Sequence, residues 1–324
     1  MMIFKSIFSG LGNIFLLIFI FLLIVGDLSA QKDTLSFLHI TDMHTMFNLE
    51  NYDPDIVYHR EYTRNYKDAN NRFRQFMKTT PDDTGSDMII ATGDMIDFFD
   101  AKTVQGNRLA YQVELFARLM DEYHYPIYLT LGNHDIFSYE WGKNKVIPDQ
   151  LHTGRARAAW IRNFDCFREG TYYSRIYEIG NTTYRLIFLD NSFYQFKKQE
   201  KMVNPYIDKP QLHWLLTELK ASEEDVEIVL MHIPFTQESA LPESNNELYE
   251  ALTSVPSVRL ILAGHFHKGE VINFPLSNGK QIVQVGTDAL VTGADKWRLV
   301  HLTENNIIVS SMGTTTSELI IPIK

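Results

Sequence analysis

Five short stretches of this chain carry residues that bind metal ions. They are Asp42-Met43-His44, Gly93-Asp94, Gly132-Asn133-His134-Asp135, His232-Ile233-Pro234 and Gly264-His265-Phe266-His267. Each follows an apolar run that reads as a buried strand. Strand ends are where open α/β sheets place their chemistry. The donors are carboxylate or amide oxygens and imidazole nitrogens, which suit Mn, Fe or Zn. Cys166 is the only cysteine, so neither a thiolate site nor an intrachain disulfide is available. It reads as a small buried hydrophobe. Taken singly, each Asp is a turn residue or cap and each His a packed or solvated ring. Taken together they form a set. A structural zinc site saturates at four ligands, whereas a larger set of oxygen and nitrogen donors suits two ions sharing one carboxylate. Asp42/His44 and His265/His267 are each two residues apart. On extended backbone that spacing points both side chains the same way.

The elements that must position these residues follow from periodicity. Thr34 to Thr41 reads as the first strand, with His39 a satisfied core histidine inside it. Met88 to Thr92 is the second. Arg108 to Tyr123 reads as an amphipathic helix, with Leu109, Val113, Phe116 and Met120 on one face. It leads to the strand Pro126 to Leu131, completing a strand–helix–strand unit. Between the first two strands lies a long, polar, tyrosine-rich segment, a candidate rim for the site. Within it Asn71 to Thr79 is helical and Pro81 to Gly85 reads as a turn. Ile136 to Glu169 shows no strand pattern, and Arg155 to Phe164 reads as a short helix.

Tyr172 to Ile179 and Thr183 to Leu189 pair through a Gly180-Asn181 hairpin. Asp190 beyond them reads as a turn or supporting group. Lys209 to Ser222 is a helix with Pro210 in its first turn. Glu227 to Met231 and Arg259 to Ala263 are buried strands that end on His232 and Gly264. Gln281 to Val285, Trp297 to Leu302 and Asn306 to Met312 are further strands. This alternation is an α/β pattern.

With 324 residues, 45% of them apolar, the chain can bury a sizeable core. A net charge of −10 with no basic run offers no nucleic-acid surface. Bound cations can still supply local positive charge for a phosphate. At the N-terminus Lys5 precedes an unbroken apolar run, Ile14 to Val25, and Leu28-Ser29-Ala30 resembles a cleavage site. Residues 1–30 therefore read as a signal peptide, with the mature chain starting at Gln31. The alternative is an uncleaved membrane anchor. Either way residues 31–324, the folded domain, are expected to be extracytoplasmic, periplasmic or secreted.

The ordered series Asp-x-His, Gly-Asp, Gly-Asn-His-Asp, His, Gly-His-x-His resembles the calcineurin-like metallophosphoesterases. The resemblance implies a four-layer αββα sandwich with two mixed β-sheets. It implies a first ion on Asp42, His44 and His267 and a second on Asn133, His232 and His265, with Asp94 bridging. Two such cations activate a bridging water for in-line attack on phosphorus. It makes His134 the general acid, with Asp97 orienting it as in the protein Ser/Thr phosphatases. Phe98 and Phe99 depart from that branch's Arg-Gly, and Asp135 from its Glu, so the chain sits in neither that branch nor the purple acid phosphatases. The implied substrate is a small-molecule or lipid phosphoester, mono- or diester. The rival is a non-catalytic metal-binding scaffold or interaction domain on the same fold. Arg155, Arg157 and Arg175 are the candidates to clamp phosphate, with solvated surface the plainer reading of each.

Overall fold

The computed structural model describes residues 33–192, 206–222, 225–240, 246–276 and 279–323. The N-terminal apolar run and its cleavage site lie outside the described residues. Among those described, no helix is long and apolar enough to cross a membrane.

Two six-stranded sheets carry the fold. From edge to edge the first runs Ser317–Pro322, Asn306–Ser310, Arg298–Thr303, Thr34–Ile40, Met88–Thr92 and Ile127–Thr130. Its last three strands are parallel, as a strand–helix–strand unit requires, and the other three join antiparallel. The second runs Glu270–Pro275, Gln281–Gly286, Val258–Ala263, Val226–Leu230, Thr182–Phe188 and Tyr173–Ile179. It is parallel through its centre, with an antiparallel strand at each edge.

The central strands are mostly apolar because both their faces are covered, with Ser36, His39 and Glu227 the buried polar exceptions in Thr34–Ile40 and Val226–Leu230. Along Val226–Leu230, Ile228 and Leu230 join the core shared with Phe37, Ile89 and Val300 of the first sheet. Val229 and the following Met231 face the other way, onto Leu215, Leu219, Leu248 and Leu252 of the helices Lys209–Ala221 and Glu247–Thr253. On the far side Phe73, Phe76, Val113, Phe116 and Trp160 bring the helices Ala69–Thr84, Gln112–Met120 and Thr153–Asn163 onto the first sheet. The layers are α, β, β, α.

Three local readings change. The helix Ala69–Thr84 runs through Pro81 and ends at Gly85, whose φ is +60°. Buried Phe76, Met77, Thr80 and Pro81 hold its last turn on the sheet, so packing overrides the turn composition. The helix expected from Arg108 begins at Gln112, because Arg108–Leu109 pairs as a strand with Ala101 and Lys102. The region read as strandless contains a hairpin, Ser138–Gly142 and Lys145–Asp149, turned by Lys143 and Asn144 with φ of 53° and 58°. With Asp100–Lys102 and Arg108–Leu109 it forms a small third sheet of four strands. A Lys-Asn turn carries no glycine to announce it.

Candidate metal centre

All seven predicted ligands converge between the C-terminal ends of the two central sheets. Asp42, His44, Asp94 and Asn133 come from the first sheet, and His232, His265 and His267 from the second. Asp42, His44, Asp94 and His232 are buried. The convergence of the paired residues does not use strand alternation. The strands end at Ile40 and Ala263, and Asp42, His44, Asp94, His265 and His267 all have left-handed backbone, with φ from 46° to 71°. Among the described residues they are five of the nine non-glycine positions with positive φ. Such backbone costs roughly 1–3 kcal/mol per residue and gathers at functional sites.

The surrounding structure enforces that backbone. Asp135 is buried and accepts from three main-chain N–H groups: Asp94 and Gly132 through Oδ2 at 2.8 and 2.7 Å, and Ile96 through Oδ1 at 3.1 Å. It thereby ties the Asp94 loop to the Asn133 loop, which accounts for the Asp of Gly-Asn-His-Asp. Asp42 Oδ2 accepts from Thr41 Oγ1 at 2.7 Å and the His265 N–H at 2.9 Å. Gly93, with φ of +90°, leaves room for His232, whose Nδ1 would lie 2.5 Å from an added Cβ.

These bonds also set which ring nitrogens face inward. His44 Nδ1–H donates to Asp97 Oδ1 at 3.0 Å, and His232 Nδ1–H to the Thr92 carbonyl at 2.8 Å. Each Nε2 lone pair then points into the centre. There acceptors meet acceptors. His44 Nε2 lies 3.2 Å from His267 Nε2, and His232 Nε2 lies 3.2 Å from both Asn133 Oδ1 and Asp94 Oδ2. His265 Nδ1 is 3.2 Å from the same His232 nitrogen. Asp42 Oδ1, buried and without a hydrogen bond among the described residues, faces His267 Nε2 at 3.1 Å. Donor atoms packed this close call for a cation between them, a proton or a metal ion. Protonation follows the same logic. Burial opposes a charged His232, yet Asp94 beside it prevails and holds the ring up at about 9. The donors fit two ions: Asp42/His44/His267 and Asp94/His232/His265 each bring their atoms within 4.8 Å of one another. Asp94 Oδ2 reaches both groups, lying 3.8 Å from His44 Nε2 and 3.2 Å from His232 Nε2.

His134 stands beside this centre, its ring edge-on to His44 at 4.6 Å with 17% of its side chain exposed. Its N–H donates to Asp94 Oδ1 at 2.8 Å. Its ring Nδ1 donates to the main-chain carbonyl of Asp97 at 2.8 Å and lies 2.6 Å from the Tyr139 hydroxyl. The Asp97 carboxylate is 3.6 Å away. Asp97 thus meets the His134 ring through its main-chain carbonyl and not through this carboxylate. The carboxylate is taken up by Arg60, which donates twice at 2.6 Å, and by His44. That pairing also removes Asp97 from any ligand set with His44 and His134. Burial pushes His134 down to about 3 against the pull of Asp94. Arriving phosphate charge favours its protonated form.

Of the three candidate clamps, Arg157 is bound to buried Asp190 at 2.7 and 3.2 Å, and Arg175 packs over the Tyr173 ring. Arg155 lies on the exposed side of its helix. Arg60, Tyr66 and Tyr139 are site neighbours that sequence reasoning misses. The first two lie in the rim segment and the third in the unrecognised hairpin.

Residues 35–269 match the family model of the calcineurin-like phosphoesterases. The chain belongs to that family. A dimetal phosphatase from Danio rerio superposes on it with a TM-score of 0.55 at 14% identity, over 90% of this chain and 99% of the other. GAP50, the anchor in the inner membrane complex of Plasmodium, does so with 0.51 at 14% identity, over 90% and 89%. Both share the fold. No curated protein matches the sequence. Membership makes the chain a metal-binding phosphoesterase in the coarse sense, with donors here for the family's binuclear centre.

Proposed function

We propose that this protein hydrolyses a phosphomonoester or phosphodiester of a small molecule or lipid head group. Asp42, His44 and His267 would hold one cation, Asn133, His232 and His265 the other, and Asp94 both. The observation that carries this reading is the cluster of mutually facing acceptors around Asp94 Oδ2, built on strained backbone from both sheets. Two bound cations supply Lewis acidity and neutralise phosphate charge for an in-line displacement. The chain's own contribution is His134. Asp97's carbonyl and Asp94's carboxylate hold its ring and main chain at the edge of the centre. From there it protonates the leaving oxygen.

The test is hydrolysis of p-nitrophenyl phosphate and its bis ester by the purified chain loaded with Mn, Fe or Zn. Turnover of either supports an esterase, and their ratio separates mono- from diesterase. Metal bound with turnover of neither would favour the scaffold reading. We further propose that the enzyme is exported and cleaved before Gln31. Intact mass of protein from the cell envelope or medium tests this. A chain still starting at Met1 would make the N-terminal segment an anchor.

A further inference from the structure

The rim segment delivers one side chain into the buried wall of the centre. Arg60 lies in the helical turn His59–Thr63 and is 3% exposed. It forks onto both oxygens of Asp97, with Nε at 2.6 Å from Oδ2 and Nη2 at 2.6 Å from Oδ1. Its guanidinium carbon lies 5.0 Å from the centre of the Tyr66 ring and 5.3 Å from that of Tyr139. Each tyrosine in turn touches one histidine of the site. Tyr66 stacks on His44 at 4.5 Å and 23°, and the Tyr139 hydroxyl reaches His134 Nδ1. Asp97 likewise serves both, its carboxylate receiving His44 Nδ1–H and its carbonyl His134 Nδ1–H.

We propose that Arg60 is the positioning residue that locks Asp97, and through it fixes His44 toward the metal and His134 toward the leaving group in one tautomer each. A guanidinium is suited to this because its planar fork matches a carboxylate while its faces stack on rings. A lysine at the same place keeps the charge but offers neither the fork nor the planar face. Without the fork Asp97 is free to rotate. His44 then loses the acceptor that holds its proton on Nδ1, and the Asp97 main chain loosens beneath His134. The idea rests on the reading of His44 as a ligand and His134 as the acid, but its structural core, the two tautomers, is measurable without metal or turnover.

The experiment is histidine-selective ¹⁵N NMR of the chelated full chain, with His44 and His134 assigned by their Asn variants. Wild type should show both rings as single Nδ1–H tautomers. Arg60→Lys should turn both into mixtures. A Mn titration should then show one of two ions bound about 10–100-fold more weakly, as loss of a ligand's supporting partner does. Either ring found as Nε2–H in wild type would overturn the proposal. So would unmixed tautomers together with wild-type Mn affinity in Arg60→Lys. Should Arg60→Lys not fold, Arg60→Gln with Asp97→Asn removes both charges of the pair together and should give the same mixtures; two single Nδ1–H tautomers there would sink the idea. Wild type that binds no metal and cleaves no ester would refute the functional reading while leaving the tautomer result to judge Arg60.

Discussion

His134 and Asp94 are linked by one hydrogen bond, yet their substitutions should fail in different ways. An alkoxide leaving group needs a proton as its bond breaks, whereas a nitrophenolate does not. His134→Asn should therefore slow hydrolysis of an alkyl phosphoester by about 10²–10⁴-fold and that of a nitrophenyl ester far less, at unchanged metal content. Equal loss on both substrates, or loss of metal, would recast His134 as a binding group. Asp94→Asn removes the oxygen that faces both donor groups, so elemental analysis after reconstitution should find both ions lost. His267→Ala should chiefly weaken the first. Wild type holding a single ion, with Asp94→Asn holding it unchanged, would contradict a binuclear centre. At this scale the site is legible from residue type and order alone, because imidazole and carboxylate at successive strand ends have few structural uses. What is not legible is how each residue is held. Asp97 can be placed near His134 from its spacing, but only the fold shows that Arg60, distant in sequence, has claimed its carboxylate.

Among the elements, strands buried on both faces are the easiest to read. Val226–Leu230 is apolar but for Glu227, and that exception has a measurable consequence. Glu227 is buried, and its two oxygens accept from Ser222 and Ser257. Burial pushes its carboxyl from 4.5 up to about 7. The folded chain thus keeps this proton to a higher pH than the unfolded chain. The stability it contributes is fully present below about pH 4.5 and is lost as pH rises through 7. Urea denaturation of wild type and Glu227→Gln at pH 5 and pH 8 should show the variant gaining about 1–3 kcal/mol on wild type over that interval. A constant gap would show that the carboxyl titrates alike in both states. The misread elements share one cause. Pro81 lies inside a helix and Tyr139 on a strand because tertiary contacts decide there, and a window of local composition cannot register them. The left-handed backbone of the candidate ligands is invisible for the same reason: a two-residue spacing looks like alternation whether or not the backbone is extended.

Across the whole molecule the centre is a junction. Strand order in a sheet is set by packing, so the sequence alone supports α/β and leaves the layers to resemblance. The structure shows that the layers meet at the donors. Asp42, Asp94 and Asn133 extend from the Thr34–Ile40, Met88–Thr92 and Ile127–Thr130 strands of one sheet, and His232, His265 and His267 from the Val226–Leu230 and Val258–Ala263 strands of the other. Cations bound among them would staple the two halves of the sandwich and offset the strain of five left-handed ligands. Binding that favours the folded chain raises stability by about 2.7 kcal/mol per site at a hundredfold excess over Kd. Thermal unfolding of chelated wild type should therefore shift upward by several degrees on adding Mn, with a midpoint that climbs as the metal concentration rises. Asp94→Asn lacks the oxygen shared by both donor groups and should scarcely respond. If the variant and wild type shifted equally, the stabilising metal would lie elsewhere on the chain, and the two sheets would not be joined through this site.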